Sequence, residues 1–135
     1  MYLFINTASA EKIIIGLIDK QGKFLIKKSI QAKYRQSEKF LLSIEKLLGN
    51  KLKKIKGIIA VKGPGSFSAL RVGLTMANTM AWALQIPIIG IGLDKARDEK
   101  LINQGFNRLK KIKKFKPVMP EYGMQPNISS KAVGS

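Results

Sequence analysis

Lys62-Gly63-Pro64-Gly65-Ser66-Phe67-Ser68-Ala69-Leu70-Arg71-Val72-Gly73 is the segment whose residue types and spacing suggest a binding loop. Its glycines let the backbone turn sharply and approach a neighbour closely. A helix starting after the loop points its amide groups back at it, which favours an anion there. Gly63, Gly65, Ser66 and Arg71 are the candidate residues of such a nucleotide or anion loop. It is not a Walker A loop, because no Gly-Lys-Ser/Thr closes it, and it is not Gly-x-Gly-x-x-Gly, because Ser68 stands where the third glycine belongs. The structural alternative is a tight strand-to-helix turn that holds nothing.

A second concentration of chemistry lies between Arg108 and Lys116, where six of nine residues are basic. Arg108, Lys110, Lys111, Lys113, Lys114 and Lys116 either contact an RNA backbone or form a solvated face. The whole chain carries a formal net charge of +17, a field that attracts polyanions. Lysine outnumbers arginine 21 to 4, so part of that charge reflects lysine usage. No aromatic-rich motif of the RRM type accompanies it.

The exclusions are sharper. The 135 residues contain no histidine and no cysteine. A Ser-His-Asp triad, a histidine base, a disulfide framework and a thiolate or imidazole metal site are therefore ruled out within them. Eight acidic residues leave little for carboxylate chemistry. No catalytic residue, metal site or cofactor bound by the chain alone is expected. No run approaches the roughly 20 apolar residues of a membrane span. Met1-Tyr2-Leu3-Phe4-Ile5 reads as a strand, not a signal peptide, and a cytoplasmic location is expected.

The elements that must position these residues follow from periodicity. Tyr2–Thr7, Lys12–Asp19 and Phe24–Ile30 read as three strands of an antiparallel meander, with a turn at Gly22. Ser37–Leu48 reads as a helix with Phe40, Leu41, Ile44, Leu47 and Leu48 on one stripe, ended by Gly49. A basic connector, Lys51–Lys56, leads to a strand at Gly57–Val61. Ser66 or Ser68 caps a helix over Phe67–Leu84, and Pro87–Ile91 is a last strand. On the second helix Leu70, Leu74, Ala77, Ala81 and Leu84 form one stripe, while Val72, Met76, Met80, Trp82 and Ala83 lie elsewhere and need a second partner. Gly73 and Ala77 suit a close helix contact there.

The order β-β-β-α-β-α-β predicts an α/β fold with a mixed five-stranded sheet, as in the RNase H-like core of actin-like ATPases. Residues 1–93 form that domain, and 94–116 form a basic helical remnant. One helix interrupted near Gly105, or two short ones, run from Asp94, which is a candidate cap. Residues 117–135 form an extended, partly disordered tail.

The loop also resembles a family signature, the Gly-Pro-Gly-Ser-Phe-Thr-Gly-Leu-Arg-Ile-Gly motif of TsaB/YeaZ proteins. Phe4-Ile5-Asn6-Thr7-Ala8, Arg35-Gln36-Ser37-Glu38 and Ala83–Ile91 are similar to further family stretches in order and spacing, together covering about Tyr2 to Leu93. Pro120–Ile128 is similar to the family's C-terminal segment, and most of the intervening second domain has no counterpart, as in a truncated form. The resemblance implies a non-catalytic subunit that docks two helices on a TsaD-type catalytic subunit making N6-threonylcarbamoyladenosine in tRNA beside the anticodon. TsaE is a further implied partner, and ATP or ADP would bind only at the complex interface. Ser37, Glu38, Phe40, Leu41, Ile44, Phe67, Arg71, Val72, Met76 and Met80 are the expected interface. Arg71 would pair with a phosphate, a partner carboxylate or a surface neighbour, and Glu38 would cap its helix or reach across the interface.

Asn6, Gln36 and Ser68-Ala69 depart from the family's Asp, His and Thr-Gly. RNase H-like nucleases and actin-like kinases need a carboxylate where Asn6 stands, and a neutral amide holds Mg²⁺ poorly. The competing readings are a stand-alone enzyme, a self-associating homodimer and a small basic tRNA-binding protein.

Overall fold

A computed structural model describes residues 1–33, 36–97, 99–112 and 115–121. Three strands open it: β1 (Tyr2–Asn6), β2 (Lys12–Ile18) and β3 (Phe24–Gln31). They pair antiparallel in sequence order. Asp19 closes the β2–β3 turn, its carboxylate accepting from the N–H groups of Gln21 at 2.8 Å and Lys23 at 3.0 Å. The Lys23 backbone bond, foremost, holds that carboxyl below the usual aspartate value. Gly22 takes φ 88°, as its position in the turn requires.

Helix α1 (Gln36–Leu48) carries the chain across one face of the sheet. Gly49, at φ 50°, ends it, and a 3₁₀ turn over Gly49–Lys54 replaces the expected basic connector. Strand β4 (Ile58–Gly63) then lies parallel to β1. Helix α2 (Phe67–Leu84) crosses the same face, and β5 (Ile88–Gly92) pairs parallel with β4. The sheet order is β3-β2-β1-β4-β5, the mixed five-stranded arrangement that the element pattern predicts.

Strand alternation divides the core in two. Leu3, Ile5, Ile13, Ile15, Ile58 and Ala60 meet Phe40, Ile44, Leu47 and Leu48 of α1 and Leu74, Ala77 and Ala81 of α2. On the other face Phe4, Ile18, Ile59, Val61 and Ile91 meet the C-terminal helices. Those are a short α3 (Leu93–Ala96) and α4 (Glu99–Leu109), so the break falls between them and not near Gly105. Gly105 sits inside α4, where a Cβ would reach the Ile91 side chain at 3.1 Å. Asp94 lies in the first turn of α3 and is not its cap, which is Gly92 with no side-chain bond.

The chain after α4 returns to the body. Val118 is buried, and its N–H and C=O both bond the side chain of Asn78 on α2, at 2.8 and 2.9 Å. Glu121 donates its N–H to the Lys62 carbonyl at 2.6 Å, and its carboxylate meets Lys62 Nζ at 2.8 Å. The expected tail beyond Glu121 lies outside the described residues, as do Arg35, Lys113 and Lys114.

Candidate docking surface

The loop between β4 and α2 is built by contacts with the β1–β2 connection. Asn6 Oδ1 accepts the Ala8 N–H at 3.0 Å, turning the chain as it leaves β1. Ala8 then accepts the Ser66 N–H at 2.8 Å. Ser66, not Ser68, caps α2, its hydroxyl accepting from Ala69 N–H at 3.4 Å.

Each glycine of the motif meets a different neighbour. Gly63, at φ 125°, lies against the backbone of Glu121, Gly65 against Ala8, and Gly73 against the Thr7 side chain. A Cβ at any of the three would strike those atoms. Thr7 is fully enclosed beside Gly73, and its hydroxyl has no bonding partner among the described residues. Internal packing thus accounts for the loop's glycines. Gly73 serves the sheet, not the partner helix expected for it.

This packing fixes α2 beside α1 and leaves a seam between them. Met76, Met80, Thr75 and Thr79 of α2 face Phe40, Leu41 and Ile44 of α1 across a groove of about 270 Å³. The Thr79 hydroxyl bonds the Thr75 carbonyl at 2.7 Å, so its polar atom is satisfied within the helix. A second groove, about 480 Å³, runs towards the helix N-termini between Ser37, Ser68, Arg71, Val72, Thr75 and Met76. Thr75 and Met76 line both, so the two are continuous. Among the described residues no carboxylate lines either.

Of the ten expected interface residues, eight line this double groove: Ser37, Phe40, Leu41, Ile44, Arg71, Val72, Met76 and Met80. Phe67 stands beside it, exposed, with the Arg71 guanidinium 5.4 Å from its ring centre. The guanidinium therefore has an aromatic neighbour in its own helix. Glu38 lies in the first turn of α1, exposed. Leu41 corrects the helix-one reading: it is 60% exposed and leaves the buried stripe at the open edge of the seam. Sequence reasoning missed Thr75, Thr79 and Ser68, whose polar names hide a methyl or a small side chain. It also missed the exposed Leu42 beside Leu41. The i, i+4 spacing of Thr75 and Thr79, each one residue before a methionine, was the available signal.

The basic cluster divides. Arg108, Lys111 and Lys116 share one recess, whereas Lys110 lies over the Phe106 ring at 5.1 Å. Among the described residues there is no group of three metal-ligating side chains, and no helix long and apolar enough to cross a membrane.

Comparison with known proteins reaches the same helices. A family model described as TsaD, tRNA N6-adenosine threonylcarbamoyltransferase, matches residues 30–92, from the end of β3 to the end of β5. The tRNA threonylcarbamoyladenosine biosynthesis protein TsaB of Bacillus subtilis is 50% identical over 34 residues, 25% of this chain and 15% of that protein. YeaZ from Pseudomonas aeruginosa superposes with a TM-score of 0.62 at 21% identity, over 74% of this chain and 51% of the other. The chain is similar to TsaB and YeaZ proteins in sequence over a short stretch and in fold over most of its length.

The chain spans about half the length of the solved YeaZ structure and a smaller share of the curated relatives it matches. The matched half is the five-stranded sheet with its helices. A tRNA N6-adenosine threonylcarbamoyltransferase from Syntrophotalea carbinolica is also 51% identical over 37 residues, 27% of this chain and 11% of that protein. TsaB-type and transferase-type proteins therefore both share sequence with this domain.

Proposed function

We propose that this protein is a TsaB/YeaZ-type, non-catalytic scaffold whose α1–α2 seam docks on a TsaD-type transferase in the formation of N6-threonylcarbamoyladenosine in tRNA. The carrying observation is the open double groove. Two helices that already cover the sheet present a continuous apolar strip with methionines along it, and methionine adapts to a facing surface at little cost. The match of residues 30–92 to the transferase family supports a partner built from the same helix pair. Helices of like shape can pair across a local two-fold axis, each set filling the other's groove. Chemistry would belong to the partner. This chain contributes no histidine or cysteine, and the Asn6 amide is spent on its own turn. TsaE and an interfacial ATP or ADP belong to the assembled complex in this reading.

The test is coexpression with the TsaD-type protein of the same organism. Met76→Glu and Met80→Glu place charges in the groove and should abolish copurification, while circular dichroism stays that of the parent. Undiminished copurification rejects this placement. Light scattering of the isolated chain separates a self-paired seam, in which the same substitutions convert a dimer to a monomer.

A further inference from the structure

The basic residues near the end of α4 surround a recess of about 1030 Å³ between β5, the end of that helix and the segment 115–121. Arg108 and Lys111, three residues apart, line it together, and Lys116 and Lys62 add two more cations. Glu121 is the carboxylate in its wall, and Lys62 holds it at 2.8 Å. Arg108, Lys111 and Lys116 thus line the recess with no further acid among the described residues of its lining. Its remaining surface is apolar, with Ile88, Ile89, Ile112 and Phe115. Phe115 and Ile112 are only half-buried.

Cations beside an apolar, partly aromatic surface match the two halves of a nucleotide, which offers a charged phosphate and a flat base. A bilayer surface needs an apolar wedge that projects, not a hollow. A duplex keeps its bases stacked inside and would use only the cations.

We infer that this recess seats a single-stranded nucleic-acid segment, with phosphates on Arg108, Lys111 and Lys116 and a base against Phe115 and Ile112. The seat involves none of the residues of the α1–α2 groove, so it stands or falls separately from the docking reading.

Fluorescence anisotropy with a labelled oligouridylate of about 12 nucleotides, titrated against salt, tests it on the full chain. Replacing Arg108, Lys111 and Lys116 by Ser should remove three phosphate contacts. The slope of log K against log salt should then become shallower by about 2, at roughly 0.7 per contact, with a loss of tenfold or more in affinity. Lys51→Ser, Lys53→Ser and Lys54→Ser together remove the same charge from the exposed 3₁₀ turn and should change affinity by less than twofold. Phe115→Leu should weaken the oligouridylate severalfold and leave an RNA duplex of the same length unaffected. Circular dichroism confirms that each variant is folded. Equal losses from the two triple variants would overturn the seat, because attraction would then be a property of the net charge alone. Indifference to Phe115→Leu, or displacement of the RNA by polyglutamate at equal charge, would overturn it too.

Discussion

α4 and α2 cover opposite faces of one sheet, and they treat their outer surfaces differently. α4 buries Ile102, Phe106 and Leu109 and turns Glu99, Lys100, Gln104, Asn107 and Arg108 outward. Its apolar stripe is narrow and wholly used. α2 buries Leu70, Leu74, Ala77 and Ala81, yet Phe67 and Trp82 stand exposed and Met76 and Met80 are half-covered. Beside it α1 leaves Leu41 and Leu42 in the open. A helix that hides one stripe and charges the rest has completed its surface. A pair of helices with a second apolar strip has a surface still to be covered. The difference lies in the outward positions, since both layers bury apolar side chains against the sheet.

Removing Phe106 tests the closed side and should have the largest effect on stability. Its ring is buried and packs edge-on to Tyr2 with centroids 4.7 Å apart. Phe106→Ala should cost about 3–5 kcal/mol in urea denaturation. Gly73→Ala comes next. The added Cβ falls on Thr7, and relieving that overlap should cost about 1–3 kcal/mol. Thermal or urea unfolding measures it, and a neutral result would show that α2 can lift away from β1. The smallest effect should come from Leu41→Ser, within about 0.5 kcal/mol of the parent, because that side chain is 60% exposed. The same substitution should weaken copurification with the transferase-type partner. Were Leu41→Ser as costly as Phe106→Ala, the seam would be core, and the contrast between the two layers would vanish.

The continuous Ile-rich runs and the apolar stripe of helix one made the strands, the helices and their order readable. The expected helix from about Phe67 to Leu84 agrees with the structure, where Ser66 caps its start and a left-handed Gln85 follows its end. The start of α4 was less legible. Its moment is strong, but Gly105 looks like a breaker when it is a point of close approach to Ile91. Eight of the ten residues expected at the interface meet in one groove, because helical spacing places them on neighbouring faces of α1 and α2. What escaped was which neighbours the motif's glycines meet. From the sequence Gly63 and Gly65 suit either an anion loop or a tight turn, and Gly73 suits a helix contact. The atoms that press on them, from Glu121, Ala8 and Thr7, belong to segments distant along the chain. Periodicity carries no trace of such long-range contacts. The recess at Arg108 was half-visible for the same reason: its charge is local, but its floor comes from β5.

The Asn78 amide bonds Val118 through both of its polar atoms, much as a neighbouring peptide group would. With Glu121 tied to Lys62, the chain end of the described structure is moored at two points, one on α2 and one on β4. A pull on residues 115–121 therefore runs first into the helix that displays the methionines and into the strand that precedes it.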